Sequence, residues 1–424
     1  MKKLFYSDSS SLIYQVFIRN YSVEGTINAL NKDLERIKDL GVDVLYLLPI
    51  FVIGEEKRKG TYGSPYAIKD YLEIAKDLGN KKDLKDLIEK AHSLNLKIIV
   101  DMVFNHCSPD NQLTRDYPHW FLQKDGKIIG KIKDWSDVVD FDYSKKEVTN
   151  YLIEVLKYWT IFGFDGFRFD VSSLIPIEFF IKAKKELQKI NKNIFFLGEA
   201  VEYSFINYLR RQGYTGTSDA EAFTVFDGLY NYNHYPLWLE TLKDKNKLIT
   251  WTEQLNQEEN IYARKALRLT SLENHDQLRI ANRVQGSVLK TMTALSFFLR
   301  GIPFIYAGQE FQDTVWPPLF EKQAIKRETT SIDDENFLIF IKTLINLRKT
   351  TFVKKDLLYI DLKVEDYILI VTRVYEKHSL KGYFNLYEPK EIILDKSKKS
   401  HINLLTNEKI NSPITLINPI IISI

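Results

Sequence analysis

Charged side chains stand at the ends of several apolar, strand-like runs of this sequence. Asp170 and Glu199 each close such a run, and Asp276 follows another after a short polar stretch. Asp101 ends a further run. Arg168 precedes Asp170 by two residues, and because strand side chains alternate with a period of two, both point to the same face. Carboxylates grouped in this way can act as acids, bases or nucleophiles.

A charge at the end of an apolar strand is costly to bury without a partner. The pattern therefore predicts either a structural network of ion pairs or a chemical task. Two imidazoles belong to the same group, because His106 follows the run that ends in Asp101 and His275 directly precedes Asp276. Several carboxylates together with histidines and one arginine favour the chemical task.

The elements that would position these residues alternate along the chain. Short β-branched or apolar runs are each followed by a segment with helical spacing, which is typical of a parallel barrel. The predicted strands, of which the sixth has the weakest pattern, lie at 12–18, 42–50, 96–104, 164–170, 194–200, 222–226, 266–273 and 302–308. In such a barrel the active site forms at the carboxyl ends of the strands, so we expect the charged ends to meet at one mouth.

The remaining pattern predicts an insert and a second domain on an α/β fold, a (β/α)8 TIM barrel. Helical spacing predicts helices at 26–40, 81–94, 147–163 and 334–349. Alternating apolar residues at 367–375 and 414–424 indicate strands. The predicted organisation is the barrel over 1–106 and 140–350, a short insert domain after the third strand over 107–139, and an all-β C-terminal domain, a β-sandwich, over 351–424.

The composition excludes several other classes of protein. The net charge of +3 is spread without a long basic run, so nucleic acid is not an expected partner. The single cysteine, Cys107, excludes an intramolecular disulfide. No segment reaches the ~18 apolar residues of a membrane span, and the N-terminal stretch lacks the ~7 to 15 apolar residues of a signal peptide. We therefore predict a cytoplasmic protein without a membrane partner, and the sequence leaves its oligomeric state open.

Four short motifs coincide with the charged strand ends. They are DMVFNH at 101–106, GFRFD at 166–170, FLGEA at 196–200 and SLENHD at 271–276. At these residues the sequence resembles the α-amylase family of glycoside hydrolases, whose motifs occur in the same order. One motif alone would be weak evidence, but four in order at strand ends are specific. The resemblance runs from about residue 12 to 350, and it implies an oligosaccharide substrate.

The resemblance implies retaining hydrolysis of α-glucosidic bonds. In that reaction one carboxylate attacks the anomeric carbon and one carboxylic acid protonates the leaving oxygen, ~5 to 5.5 Å away. By similarity Asp170 is the nucleophile, Glu199 the acid/base, and Asp276 the third carboxylate, which binds sugar hydroxyls and stabilises the transition state. Arg168 is expected to keep Asp170 ionised, whereas Glu199 has to hold a proton near neutral pH.

Further residues of the motifs are implied to bind the substrate. Tyr66 corresponds to the tyrosine that stacks under the sugar at the cleavage point, and His106 and His275 correspond to histidines that hydrogen-bond the same ring. Two tryptophans, Trp135 in the insert and Trp316 late in the barrel, are candidate platforms for other sugar rings.

Other motif residues are expected to have structural roles, and one feature bears on metal binding. Asp101 and Asn105 are expected to brace the loop after the third strand, and Asp70 to be structural. In many calcium-dependent members Ala-x-Lys-His follows the nucleophile, and its histidine helps to bind calcium; here VSSL follows Asp170. The short insert offers few carboxylates for a shell of ~6 to 8 oxygens. We therefore predict no metal and no other cofactor, although Asn105 is present.

The substrate and the acceptor leave alternatives open. The missing signal peptide and the short insert favour imported malto-oligosaccharides over granular starch, and Val171 after the nucleophile is compatible with both α-1,4 and α-1,6 bonds. A transglycosylase or sugar phosphorylase would use the same carboxylates but give the sugar to an acceptor other than water. The remote alternative is a non-catalytic carbohydrate-binding protein or subunit, against which the retention of all three carboxylates argues.

Overall fold

The computed structural model describes residues 6–395 and 398–424, so that 1–5 of the predicted barrel and 396–397 of the predicted β-domain lie outside the described residues. The chain folds into two compact units. The parallel-sheet unit comprises Ile13–Tyr230 and Trp316–Arg327. The mixed unit comprises the described residues up to Leu12 together with Asn231–Val315 and Glu328–Ile424.

Six parallel strands form the sheet of the parallel-sheet unit. They are β1 (Ile13–Val16), β2 (Val44–Leu47), β3 (Lys97–Met102), β4 (Gly166–Phe169), β5 (Phe195–Gly198) and β6 (Gly228–Leu229). Each strand pairs in parallel with the next strand in the sequence. Nearly every strand residue is buried, which explains why these runs are continuously apolar. Sequential parallel strands joined by helices confirm the predicted barrel-type fold.

The helices of this unit connect the strands and bury apolar faces against them. The α-helices are Ile18–Tyr21, Ile27–Lys32, Leu34–Leu40, Lys81–Ser93, Gln112–Asp116, Lys146–Phe162, Ile177–Leu187, Tyr203–Arg211 and Asp219–Ala222, with 3-10 turns at Pro118–Trp120 and Ser172–Leu174. The prediction of a single helix over 26–40 is wrong, because two helices lie there. The run is broken at Asp33, whose carboxylate hydrogen-bonds Arg36 and Tyr21.

Two strand predictions need correction. The run at 222–226 is not a strand: Ser218 and Glu221 form a capping box that starts the helix Asp219–Ala222, and the strand of this region is β6. The run at 266–273 is not a regular strand either. It forms an isolated parallel bridge of Leu269 with Ile302, in which Ile302 exchanges backbone hydrogen bonds with Arg268 and Thr270, and the pairing does not continue as a strand.

The predicted insert consists of short elements. Its ends are held together by a pairing of His106–Cys107 with Val139–Asp140, and a hairpin of Gln123–Lys124 and Lys127–Ile128 lies between them. A separate antiparallel pair, Phe51–Ile53 with Ile68–Ile74, follows β2. The insert therefore leaves and rejoins the sheet next to His106.

The mixed unit contains helices and an antiparallel C-terminal part. The helices are Tyr235–Thr241, Lys247–Ile261, Ile280–Arg283, Gly286–Phe298 and Ile332–Leu347, with a 3-10 turn at Gln309–Phe311 and a π turn at Arg348–Phe352. The strands are Phe304–Tyr306, Leu357–Glu365, Ile368–Tyr375, Ser379–Phe384, Lys390–Ile392, Ser400–Asn403, Glu408–Asn411, Ile414–Leu416 and Ile420–Ser423. Among the described residues after 356, every strand pairing is antiparallel, which confirms the predicted C-terminal β-domain.

A buried charge cluster connects distant parts of the mixed unit. The carboxylate of Asp8 forms ion pairs with Arg348 and Arg373, and all three side chains are almost fully buried. Burial alone would raise the pKa of Asp8, but the two guanidinium groups outweigh it and hold the pKa below its ordinary value. In the described part of the chain, no helix combines the length and the apolar character needed to cross a membrane.

Candidate active site

The register of the parallel sheet brings three charged strand ends together. Arg168 of β4 lies directly beside Asp101 of β3. The N–H of Asp170 extends the hydrogen bonding of β4 to β3, and the N–H of Glu199 extends that of β5 to β4. Asp170 and Glu199 therefore leave the sheet at the same edge.

The guanidinium of Arg168 contacts three carboxylates at this edge. Its Nη1 lies 2.7 Å from both oxygens of Asp101 and 3.1 Å from Oδ1 of Asp170, and its Nη2 lies 2.9 Å from Oε2 of Glu199. Burial would lower the pKa of Arg168, but Asp101 and Glu199 raise it well above its ordinary value. Sequence reasoning predicted the contact with Asp170 and missed the contact with Glu199.

Asp101 lies in β3, where it shares the guanidinium of Arg168 with Asp170 and Glu199. It is fully buried and accepts hydrogen bonds from the hydroxyls of Tyr46 at 2.7 Å and Tyr66 at 3.2 Å. Burial raises the pKa of Asp101 to about 6, although Arg168 opposes this. A change of its protonation would alter the charge around Arg168.

The turn after Asp170 holds Glu199 through the backbone. Val171 has a φ of +35° and a ψ of 48°, in the left-handed region that a β-branched residue rarely adopts. This conformation points its N–H at Oε2 of Glu199, 2.6 Å away. The side chain of Val171 packs in a small apolar cluster with Leu174 and Val201, which supports the turn.

His106 is buried next to Asp170. Its Nε2 lies 3.9 Å from Oδ2 of Asp170, and its ring packs on Trp135 with 5.4 Å between the ring centroids. Nδ1 lies 3.1 Å from the amide nitrogen of Asn105, which can only donate, so Nδ1 accepts and the proton is on Nε2. Burial lowers the pKa of His106 to about 3, and Lys131 adds to this, so the imidazole is neutral.

Three further predicted residues belong to the same unit. Tyr66 is half-buried, and its ring lies 5.8 Å from the guanidinium carbon of Arg168. Asp70 is exposed on the strand Ile68–Ile74, where its carboxylate accepts a local hydrogen bond from the N–H of Leu72. Trp316 keeps 46% of its surface exposed. Tyr66 thus joins the Arg168 cluster, whereas the contact of Asp70 is local.

His275 and Asp276 belong to the mixed unit. The carboxylate of Asp276 lies 3.1 Å from Nε2 of His275 and accepts a 3.1 Å hydrogen bond from the hydroxyl of Tyr232. Asn274 completes the arrangement, because its side chain accepts from the N–H of Asp276 and donates to the hydroxyl of Tyr232. Sequence reasoning missed Tyr232, which lies in no motif.

A buried ion pair holds the ends of this loop. Nη1 of Arg279 lies 2.7 Å from Oε1 of Glu273, and Oε2 of Glu273 accepts the N–H of Ile280 at 2.6 Å. The same guanidinium donates to the carbonyl of Ala307 and lies 3.4 Å from Asp313. Because Arg279 and Glu273 are fully buried, they fix the backbone on both sides of His275 and Asp276.

The residues around Asn105 do not fit a calcium ion. Oδ1 of Asn105 lies 2.7 Å from the ammonium of Lys131, which also faces Asp140 at 3.6 Å. A cation of the protein itself therefore stands where oxygen ligands would face a metal. In residues 6–395 and 398–424, no group of three or more His, Cys, Asp or Glu side chains is placed to hold a metal ion.

The chain matches the family model described as alpha amylase, catalytic domain, over residues 6–134 and 132–337. Among solved structures it is similar to an alpha-amylase from Lactobacillus plantarum, with a TM-score of 0.92 and 34% identity over 98% of this chain and 99% of that chain. A noncanonic maltogenic alpha-amylase, AmyB from Thermotoga neapolitana, gives a TM-score of 0.86 and 30% identity over 98% of both chains.

Two curated relatives are more distant in sequence. Alpha-amylase 3 of Dictyoglomus thermophilum is 28% identical over 339 residues, which are 71% of this chain and 64% of that protein. A probable oligo-1,6-glucosidase 3 of Bacillus subtilis is 23% identical over 401 residues, 77% of this chain and 70% of that protein. The match thus spans less than two thirds of the length of the first of these relatives.

Proposed function

Because the chain belongs to the α-amylase family of glycoside hydrolases, we propose that it is a retaining hydrolase of α-linked gluco-oligosaccharides of the malto-oligosaccharide type. The observation that carries the proposal is that one buried guanidinium, Arg168, contacts both Asp170 and Glu199. Two carboxyl groups on one guanidinium lie close together, as a retaining mechanism with ~5 to 5.5 Å between them requires.

In the first step Asp170 attacks the anomeric carbon. The glycosidic C–O bond breaks, an ester between the sugar and Asp170 forms, and Glu199 gives its proton to the leaving oxygen. Arg168 keeps Asp170 ionised before the attack. Oε2 of Glu199 already faces two donors, Val171 and Arg168, so the transferred proton belongs on Oε1.

In the second step water attacks the ester. Glu199, now ionised, takes a proton from the water as the C–O bond to Asp170 breaks, and the sugar leaves with its original anomeric configuration. The neutral imidazole of His106, whose Nε2 lies 3.9 Å from Oδ2 of Asp170, keeps the sugar-binding role that its motif implies. Asp276 keeps the role that its motif implies, binding hydroxyl groups of the substrate.

The family resemblance and the names of relatives support an α-glucan substrate, and those names cover more than one linkage. Similar proteins carry names of alpha-amylases and of a probable oligo-1,6-glucosidase. Tyr66 supports binding of a pyranose ring, because its ring is partly exposed beside Arg168. We propose soluble oligosaccharides as substrates, with hydrolysis favoured over transfer.

The test is product analysis with maltotriose, isomaltose, pullulan, sucrose and trehalose. Proton NMR during the first turnovers should show the α-anomer, and the Asp170→Asn variant should have no turnover at an unchanged melting temperature. Asp125→Asn, in an exposed turn, is the matched control. The β-anomer as first product, or full activity of Asp170→Asn, would overturn the proposal. Addition of glucose or phosphate separates the alternatives, since a transferase or phosphorylase would make mainly transfer products.

A further inference from the structure

Lys131 of the insert buries its ammonium in a cage of oxygen atoms. The side chain is 6% exposed, and its Nζ lies 2.7 Å from Oδ1 of Asn105 and 3.6 Å from Oδ2 of Asp140. The carbonyl oxygen of Leu174 is the third partner, at 3.4 Å. Asp140 is held in place because its Oδ2 also accepts the backbone N–H of Lys131.

The three partners are an amide oxygen, a carboxylate and a backbone carbonyl. These are the types of ligand that bind hard divalent cations such as Ca²⁺ in proteins. Here they converge on an ammonium group, and the charges of Lys131 and Asp140 cancel. A buried charge is tolerated when it is paired and hydrogen-bonded in this way.

The cage joins three segments that shape the candidate active site. Asn105 lies on the loop after β3, Asp140 is in the strand pair that closes the insert, and Leu174 is in the 3-10 turn after β4. The amide of Asn105 bonds Lys131 with its oxygen and His106 with its nitrogen. The ammonium therefore helps to fix the position of His106 through Asn105.

We propose that Lys131 is a built-in cation, which holds these segments together in place of a divalent metal ion. The wild-type protein therefore needs no metal, and removal of the ammonium creates a site that a divalent cation can fill. Lys131 acts as a positioning residue, through Asn105 and His106. The inference stands apart from the proposed function, because its first readout is thermal stability.

The test compares Lys131→Ala with Lys133→Ala, which removes an exposed ammonium from the same insert. Both variants are purified in calcium chloride and then treated with EDTA. The wild type and Lys133→Ala should melt at the same temperature with EDTA or calcium. Lys131→Ala in EDTA should melt lower, by on the order of 10 °C, because Asp140 loses its buried partner.

Calcium, and separately methylammonium, should restore most of this loss in Lys131→Ala. Titration calorimetry should show one calcium ion bound by that variant and none bound by the wild type. Activity towards maltotriose should fall in EDTA and return with either cation. A wild type destabilised by EDTA, or a Lys131→Ala variant that responds to neither cation, contradicts the proposal.

A second variant keeps the proposal testable if Lys131→Ala alone does not fold. Lys131→Ala combined with Asp140→Asn removes both charges, so it should be more stable in EDTA than Lys131→Ala alone. It should not respond to calcium, because the carboxylate that a divalent ion needs is gone. A calcium response equal to that of Lys131→Ala would place the ion elsewhere and overturn the inference.

Discussion

The backbone N–H of Val171 donates a 2.6 Å hydrogen bond to Oε2 of Glu199. The residue after the proposed nucleophile thus fixes the proposed acid/base. This bond depends on the left-handed backbone of Val171, a conformation that costs ~1 to 3 kcal/mol for such a residue. The surrounding cluster of Leu174 and Val201 holds the strained turn, so the spacing of Asp170 and Glu199 is built into the fold.

Replacement of Glu199 and replacement of Asp170 should have different effects on hydrolysis. Glu199→Gln should slow hydrolysis of maltotriose by about 10² to 10⁴-fold, because the leaving oxygen is no longer protonated. An aryl α-glucoside with a good leaving group needs no proton, so its first step should be affected much less. Asp170→Asn should abolish both reactions. Pre-steady-state kinetics on the two substrates provide the measurement, and equal losses in Glu199→Gln would contradict the acid/base role.

Asp101 should set the acidic limit of activity. Its pKa of about 6 predicts that kcat/KM falls below that pH, because protonated Asp101 no longer balances Arg168. The amide of Asp101→Asn mimics the protonated form, so this variant should have low activity and lack the acidic limb. Profiles of kcat/KM against pH check this, with Asp125→Asn as a control that keeps the limb.

The raised pKa of Asp101 also predicts how the stability of the protein depends on pH. The folded pKa of Asp101 is raised above the unfolded value of ~3.9, so the folded state binds more protons between about pH 4 and 6. The contribution of Asp101 to the free energy of unfolding should therefore be largest below pH 4 and decline as pH rises towards 6. Urea unfolding across this range should show the decline in the wild type, and Asp101→Asn should lack that component.

Tyr232 should position Asp276. Tyr232→Phe removes the hydroxyl that donates to this carboxylate, and since Asp276 is partly exposed we expect a modest loss in kcat/KM, about 3 to 10-fold. Tyr359→Phe, which changes an exposed tyrosine of the same unit, is the control. Kinetics with maltotriose provide the readout. Unchanged kinetics in Tyr232→Phe would show that His275 and the backbone suffice.

The ion pairs of Asp8 should stabilise the mixed unit by several kcal/mol. Asp8→Asn leaves Arg348 and Arg373 buried without a counter-charge, at a cost of ~3 to 5 kcal/mol in the free energy of unfolding. Because the folded pKa of Asp8 lies below its ordinary value, this stabilisation is present above about pH 4 and is lost as pH falls through the folded pKa. Urea titration measures it, and the exposed Asp361→Asn serves as the comparison; equal stability of the two variants would refute the prediction.

Local pattern was sufficient for the first five strands and for the ends that carry Asp101, Asp170 and Glu199. These strands are buried on both faces, so their apolar runs stand out from the helices. The sixth strand was misplaced, because the apolar residues at 222–226 are buried by a helix and turn while β6 is only two residues long. Periodicity alone cannot distinguish these outcomes in so short a run.

The contacts that the sequence did not reveal are all between distant residues. The ion pair of Arg168 with Glu199 depends on the register of β4 with β5. The left-handed backbone of Val171 was not predicted, because no glycine marks that position. Lys131 looks like any lysine of a polar insert until the chain returns beside Asn105. Such contacts depend on the three-dimensional positions of the loops, and the spacing of residues along the chain does not predict these positions.

The ion pairs of Asp8 also have a consequence for biosynthesis. Its two partners are made 340 and 365 residues later, so a growing polypeptide carries an unmatched carboxylate until residue 373 has been synthesised. At ~5 to 20 residues per second this wait lasts on the order of twenty seconds to a minute. The mixed unit can therefore mature only after residue 373 has been made, and the parallel-sheet strands up to residue 230 have time to organise first.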